Sequence, residues 1–169
     1  MWNDTDIPLA FLITFRSYGT WLHGDERGSV NRFRNQFNSA RFPPEKKWLR
    51  TNTQRPKTEI VVFDAAQRRC VEASSHETCE IRGWHLYAIN VRTNHVHLVI
   101  SIGEKKPEIA LNAFKANATR KMREIGVWES NLSPWAAKGS KRYLWNERSV
   151  ARAIDYVING QGDDLPDFD

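Results

Sequence analysis

The sequence predicts an α+β fold in which helices pack on an antiparallel sheet. Hydrophobic residues make up 40% of the 169 residues and include seven tryptophans, enough for one domain to bury a core. Segments with strand and helix periodicity follow one another in the order strand, helix, strand, strand, helix, strand, helix. A short Arg92-Thr93 connection between two of the strands indicates an antiparallel hairpin. This is the order of a ferredoxin-like βαββαβ core with an appended C-terminal helix.

The first half of the chain supplies one strand and one helix. Residues 9–16 are predicted as a buried strand, and residues 58–63 as either a short strand or the approach to a helix. Asp64 and Gln67 have the spacing of a capping box, and Gly83 is a typical helix end. The predicted apolar face of this helix consists of Ala66, Cys70, Ala73, Glu77 and Ile81.

The second half supplies the hairpin, a helix, a strand and the final helix. The hairpin strands are residues 84–91 and 94–101, and Pro107 suits the first turn of the next helix. A fourth strand at residues 141–145 leads into a helix over Glu147–Asn159. The helix that begins at Pro107 has an apolar stripe of Leu111, Phe114, Ala118, Met122 and Ile125. Beside it runs a polar stripe of Asn112, Lys115, Thr119 and Arg123.

Positive charge is concentrated in one segment. Residues 16–58 carry ten Arg and Lys residues and three acidic ones, a net charge of +7, whereas the whole chain has +5. Six aromatic residues are interleaved with these charges. Cations that bind phosphates and rings that stack on bases are typical of a surface for single-stranded nucleic acid. The alternative is a solvated basic loop that its aromatic residues anchor to the domain.

We therefore predict one domain at residues 1–162, with a long basic loop at 16–58, and a short acidic tail at 163–169. Cys70 and Cys79 fall on opposite sides of their predicted helix, so they cannot form a disulfide within the chain. No apolar run reaches the roughly 20 residues of a membrane-spanning helix. These features indicate a cytoplasmic protein without a membrane partner.

Two histidines at alternate positions are the most informative motif, in the run Asn94-His-Val-His-Leu-Val-Ile100. Side chains at positions i and i+2 of a strand lie on one face, so His95 and His97 are predicted to stand side by side. Two imidazoles on a rigid strand make half of a divalent-metal site. The alternative is a strand that carries two half-exposed histidines without a ligand.

The final helix carries a tyrosine at the edge of its apolar stripe. Tyr156 lies about 120° from the centre of the face formed by Val150, Ala153, Ile154 and Val157. A phenol there can reach solvent or substrate, although a tyrosine at such a position is ordinarily a packing residue. Tyr143 on the fourth strand is the other candidate nucleophile, and its alternation with Trp145 indicates a packed face.

The His95-Val96-His97 strand, followed about sixty positions later by a tyrosine on a C-terminal helix, resembles the HUH single-tyrosine transposases. More narrowly, the chain is similar to the REP-associated tyrosine transposases and their insertion-sequence relatives. The resemblance extends from the first strand through Gly162. It implies that His95, His97 and a side-chain amide bind Mg²⁺ or Mn²⁺, and that Tyr156 attacks a DNA phosphate to leave a 5′-phosphotyrosine and a free 3′-OH.

The resemblance also implies the partners. They are single-stranded DNA that carries a hairpin and, in some relatives, a second copy of the chain. Dimeric relatives exchange the tyrosine helix, so whether Tyr156 would act in its own chain or in a homodimer partner stays open.

This sequence departs from the family at the amide ligand, which usually follows the tyrosine by four residues. Here that position is Gly160, flanked by Asn159 and Gln161. Asn159 is closer to Tyr156 in helical angle, whereas a helix end at Gly160 allows Gln161 to fold back. We expect Gln161 to be the third metal ligand and keep Asn159 as the alternative.

The DNA path is expected to include Arg16 at the end of the first strand, together with Lys115, Arg120 and Arg123 on the helix that begins at Pro107. A solvated helix face is the alternative for the last three.

For the whole protein, two further functions remain open. One is a domesticated, non-catalytic nucleic-acid-binding protein of the same fold. The other is a metal-dependent phosphodiester hydrolase that uses water in place of tyrosine.

Overall fold

A computed structural model of the chain describes residues 7–20 and 59–166. Most of the predicted basic loop and the last three residues of the acidic tail lie outside this range. The strands are β1 (Ala10–Arg16), β2 (His85–Val91), β3 (His95–Ser101) and β4 (Ser140–Leu144). The helices are α1 (Ala65–Arg82), α2 (Pro107–Glu124) and α3 (Glu147–Asn159). None of the helices within the described residues is long and apolar enough to cross a membrane.

The four strands form one sheet in the order β2-β3-β1-β4, and each adjacent pair is antiparallel. This arrangement confirms the predicted α+β fold with a ferredoxin-like layout and a C-terminal helix. Residues 59–63 are the approach to α1 and form no strand. The capping box is present, because the Asp64 carboxylate accepts from the Gln67 backbone and the Gln67 amide oxygen accepts from the Asp64 backbone.

The sheet separates two apolar layers. Val96, Leu98 and Ile100 of β3 are fully buried beneath α1 and α2. Val99 faces the other side and is buried with Val157 of α3. The alternation of β3 therefore places His95 and His97 side by side on one face, as the sequence predicts, and this face is the α3 side of the sheet.

The predicted apolar face of α1 is wrong except at Cys70, which is buried. Ile81, which the prediction buried, is 76% exposed. The buried residues of the helix are Ala65, Arg68, Cys70, Val71, Ser74, Ser75, Thr78 and Cys79. Small hydroxyl residues are buried there because each donates to a carbonyl one turn back in the same helix, such as the Thr78 hydroxyl to Ser74. Hydropathy alone does not identify such a face.

The predicted apolar stripe of α2 is buried except at its last member. Leu111, Phe114, Ala118 and Met122 lie in the core, whereas Ile125 is 58% exposed because the helix ends before it. Cys70 and Cys79 are both free, which agrees with the prediction that they do not pair.

Truncating Phe114, which is completely buried, tests this packing. Phe114→Ala is expected to lower the free energy of unfolding by about 3–5 kcal/mol, because it leaves a cavity in the layer between the sheet and the helices. Urea denaturation followed by circular dichroism measures the change. The control is Ile109→Ala on the same helix, where the side chain is 44% exposed. A change of more than about 1 kcal/mol in that control would contradict the assigned faces.

Candidate functional site

The histidine pair lies on a central strand of the sheet. The ring centroids of His95 and His97 are 4.7 Å apart, with the planes at 75°. His97 is only 5% exposed, and His95 is partly buried. The two imidazoles therefore stand together on one face, held by a strand that is buried on the other.

The Nδ1 atom of each imidazole has a hydrogen-bond partner. His97 Nδ1 lies 2.7 Å from the hydroxyl oxygen of Thr14, its partner in the β1–β3 register. His95 Nδ1 lies 2.7 Å from the amide oxygen of Asn94. An amide oxygen only accepts hydrogen bonds, so His95 carries a proton on Nδ1, and the neutral form of the ring has its lone pair on Nε2.

Tyr156 packs directly against the pair. Its ring centroid is 5.3 Å from that of His97 in the same chain, with the planes at 69°, and the side chain is 46% exposed. Helix α3 is fastened to the sheet beside this contact, because the Asn90 amide donates to the Val157 carbonyl at 2.9 Å. The tyrosine therefore combines a fixed backbone with an accessible side chain.

Gln161 lies beside both Tyr156 and His95. Its amide nitrogen donates to the Tyr156 carbonyl at 2.9 Å, and its amide oxygen lies 3.5 Å from His95 Nε2. Since a carbonyl only accepts, the NH₂ group must face Tyr156 and the oxygen must face the histidines. The Asn159 amide instead donates to Asp155 at 2.8 Å on the exposed side of α3. The structure thus brings Gln161, and not Asn159, to the imidazoles.

Gly160 makes this fold-back possible. The helix ends there, and the Gly160 backbone donates to the Tyr156 carbonyl at 3.0 Å. A Cβ atom at this position would lie 2.8 Å from the same carbonyl oxygen and 3.2 Å from the tyrosine ring. Any larger residue would therefore displace Tyr156 or the turn that carries Gln161.

The environment favours the neutral form of both histidines. Burial, followed by the neighbouring His95 and Arg16 charges, lowers the pKa of His97 to about 4. Burial and then Arg16 also lower the pKa of His95 below its usual value of 6.5, and Arg92 contributes in the same direction. Neutral imidazoles have the free lone pair that metal coordination requires.

Two arginines flank His95. Arg16 is its register partner on β1, on the same face of the sheet, and the Arg92 backbone donates to the His95 carbonyl at 2.8 Å. The Arg92 guanidinium also donates to the Asp163 carbonyl at 2.8 Å, which ties residues after α3 to the hairpin turn. Among the described residues, neither arginine forms an ion pair with a carboxylate.

The other cations predicted to contact DNA lie on α2, across the sheet from the histidines. The Lys115 ammonium donates to the carbonyls of Ala136 and Lys138 at 2.9 and 2.7 Å, and burial lowers its pKa to about 8. Arg123 donates to the Ser130 carbonyl at 3.1 Å, and Arg120 pairs with Glu124 at 2.9 Å. These three residues therefore do not join the histidine site.

Sequence reasoning missed Thr14 and Arg92. Thr14 lies on the histidine face because it is two residues before Arg16, but only the strand register shows that it meets His97. Arg92 lies in a turn, where periodicity carries no information. Tyr143, the other candidate nucleophile, packs edge-on against Phe11 on the opposite face, with ring centroids 4.8 Å apart.

The set of possible metal ligands in this group suits a divalent cation. Two imidazole nitrogens and one amide oxygen are neutral ligands of the kind that first-row divalent ions accept. In the neutral tautomer with its proton on Nδ1, His95 Nε2 is an acceptor, and it lies 3.5 Å from the Gln161 oxygen, which is also an acceptor. A cation between the two atoms would be bound by both, so the arrangement fits a bound ion. The described residues hold no cluster of three or more His, Cys, Asp or Glu residues of the kind typical of a metal site.

Comparison with protein families identifies the chain. Residues 53–154, more than half of its length, match the family described as "Transposase IS200 like". The match begins before α1, includes both histidines, and ends within α3, two residues before Tyr156. A comparison with curated proteins gives no match. The chain therefore belongs to the IS200-like transposases, a family of HUH single-tyrosine transposases.

Proposed function

We propose that this transposase cleaves and rejoins single-stranded DNA in a metal-dependent reaction, with Tyr156 as the nucleophile. The observation that carries the proposal is the convergence of His95, His97, Gln161 and Tyr156 at one end of α3. The imidazoles come from the sheet and the other two residues from the helix end, so residues distant in sequence meet in one place. The tyrosine is 46% exposed, which leaves room for a DNA strand to approach it.

In this proposal His95, His97 and Gln161 hold the ion, which is Mg²⁺ or Mn²⁺. A bound ion would polarise a phosphoryl oxygen and so favour attack on the phosphorus. The imidazoles are suited to holding it because they are neutral near pH 7. The Tyr156 carbonyl directs the Gln161 oxygen toward them.

The chemical step exchanges one phosphodiester for another. The Tyr156 oxygen forms a bond to phosphorus, and the bond from phosphorus to the 3′ oxygen breaks. The phenol loses its proton and the leaving 3′ oxygen gains one, so the products are a 5′-phosphotyrosine and a free 3′-OH. The reverse attack by a 3′-OH rejoins the strand without ATP, because the ester energy is retained.

Arg16 and Arg92 are the residues that we expect to hold the DNA backbone beside this group. Guanidinium groups bind phosphate oxygens through their planar fork of donors, and these two lie on either side of His95. The roles proposed for Lys115, Arg120 and Arg123 concern a different part of the DNA, since α2 lies on the other face of the sheet.

The nucleophile is tested with a hairpin-bearing single-stranded oligonucleotide in the presence of Mn²⁺. An oligonucleotide labelled at its 3′ end is expected to remain on the denatured protein, whereas a 5′ label is released on a fragment that ends in 3′-OH. Tyr156→Phe should abolish the labelled protein band, because phenylalanine has no oxygen to form the ester. The matched control is Tyr143→Phe, which alters a tyrosine of similar exposure on the opposite face.

Each alternative gives a different result in that experiment. An adduct that persists in Tyr156→Phe would assign the nucleophile elsewhere. Cleavage without any adduct would indicate a hydrolase that uses water. Binding of the oligonucleotide without cleavage in the wild-type protein would indicate a non-catalytic DNA-binding protein.

The third ligand is tested by metal affinity. Gln161→Ala is expected to weaken Mn²⁺ binding by at least about tenfold in calorimetry, since it removes the amide oxygen that faces His95. Asn159→Ala should bind Mn²⁺ as the wild-type protein does, because the Asn159 amide donates to Asp155 on the exposed side of α3. The reverse order of effects would assign the ligand to Asn159.

The lowered histidine pKa values predict how metal binding depends on pH. Protons compete with the ion for Nε2 only below the pKa, and that of His97 is lowered to about 4. Mn²⁺ affinity should therefore fall only at a pH below the usual histidine pKa of 6.5, because the pKa of both imidazoles is lowered and the ion needs both in the neutral form. A titration with its midpoint near 6.5 would contradict the burial of the pair.

A further inference from the structure

A neutral imidazole offers a lone pair on only one of its two nitrogens. The bond made by the other nitrogen decides which one it is. A metal site built on two histidines therefore needs two groups that hold the protons on the remote nitrogens. At His95 this group is the Asn94 amide oxygen, which lies 2.7 Å from Nδ1.

At His97 the corresponding atom comes from a neighbouring strand. The Thr14 hydroxyl oxygen is 2.7 Å from His97 Nδ1, and the β1–β3 register places the two residues directly opposite each other. His97 is almost fully buried, so water does not compete freely for Nδ1. The branched threonine side chain has few rotamers in a strand, which keeps its hydroxyl in place.

We propose that Thr14 is a positioning residue of this site, whose hydroxyl accepts from His97 Nδ1 and leaves the Nε2 lone pair beside that of His95. The proposal rests on the proposed function for its purpose, because the free Nε2 atom is the one that would bind the ion. It assigns Thr14 no contact with the DNA or with the reacting atoms. In the opposite arrangement the hydroxyl donates to Nδ1 and Nε2 carries the proton, which blocks coordination.

Both arrangements fit the distance of 2.7 Å, and the choice between them follows from the site. The His97 ring packs against that of His95 with centroids 4.7 Å apart, and His95 Nε2 lies 3.5 Å from the Gln161 oxygen. A proton on His97 Nε2 would occupy the lone pair that an ion bound by this group needs. If the site binds an ion, Thr14 must act as the acceptor.

The direct test is the tautomer of His97 in the metal-free protein at pH 7. Long-range proton–nitrogen NMR correlations distinguish a protonated ring nitrogen from a bare one. The expected result is a protonated Nδ1 and a bare Nε2 on both histidines. A protonated Nε2 on His97 in the wild-type protein would overturn the proposal.

Variants of Thr14 supply the second readout. Thr14→Val keeps the branched shape but has no acceptor, so it is expected to change the His97 tautomer and to weaken Mn²⁺ binding by about 10- to 100-fold. Thr14→Ser retains the hydroxyl and should restore both properties. The His95 signals should stay unchanged in Thr14→Val, since Asn94 holds that ring independently.

A matched control is available on the next strand. Ser140 is the β4 partner of Thr14 and also carries a hydroxyl, yet no hydrogen bond joins it to either histidine. Ser140→Ala should leave the tautomer and the Mn²⁺ affinity as in the wild-type protein.

An unchanged tautomer and affinity in Thr14→Val would overturn the proposal. Absence of Mn²⁺ binding by the wild-type protein would instead count against the proposed function, because the tautomer is measured without metal.

Discussion

The antiparallel pairing of β1 with β3 is the constraint on which the rest of the site depends. It places Thr14 opposite His97 and Arg16 opposite His95. A slip of one residue would turn both imidazoles into the apolar layer beneath α1 and α2. Burial prevents this, since Val96, Leu98 and Ile100 fill one layer while Val99 fills the other. The hydrophobic core thus determines which face of the sheet carries the two histidines.

The end of α3 links Tyr156, the proposed nucleophile, to Gln161, the proposed third ligand, through one backbone group. The Tyr156 carbonyl accepts from the Gly160 backbone and from the Gln161 side chain at the same time. Any displacement of Tyr156 therefore also moves the Gln161 oxygen. The two side chains therefore share one anchoring point in the turn that ends α3.

Local sequence patterns predict those features of the site that depend on a single element. The alternation in β3 predicts that the two histidines share a face, and the order of the elements predicts the fold of the sheet. The partner of His97 could not be predicted, because Thr14 is 83 residues away and only the register joins them. The buried face of α1 was missed for another reason. Ser74, Ser75 and Thr78 satisfy their hydroxyl groups within the helix, and hydropathy treats them as exposed.

The polar stripe of α2 shows a further limit of composition. Lys115 and Arg123 look like a basic surface in sequence, but their N–H groups are bonded to backbone carbonyls of the segment between α2 and β4. Arg68 does the same with the carbonyls of Phe63 and Pro166. Cations engaged in this way still add to the long-range electric field, yet they have fewer donors left for a phosphate. They can attract a polyanion over a distance, but they do not release counterions from it unless they contact its phosphates. The formal charge therefore overstates the number of phosphates that the protein can neutralise.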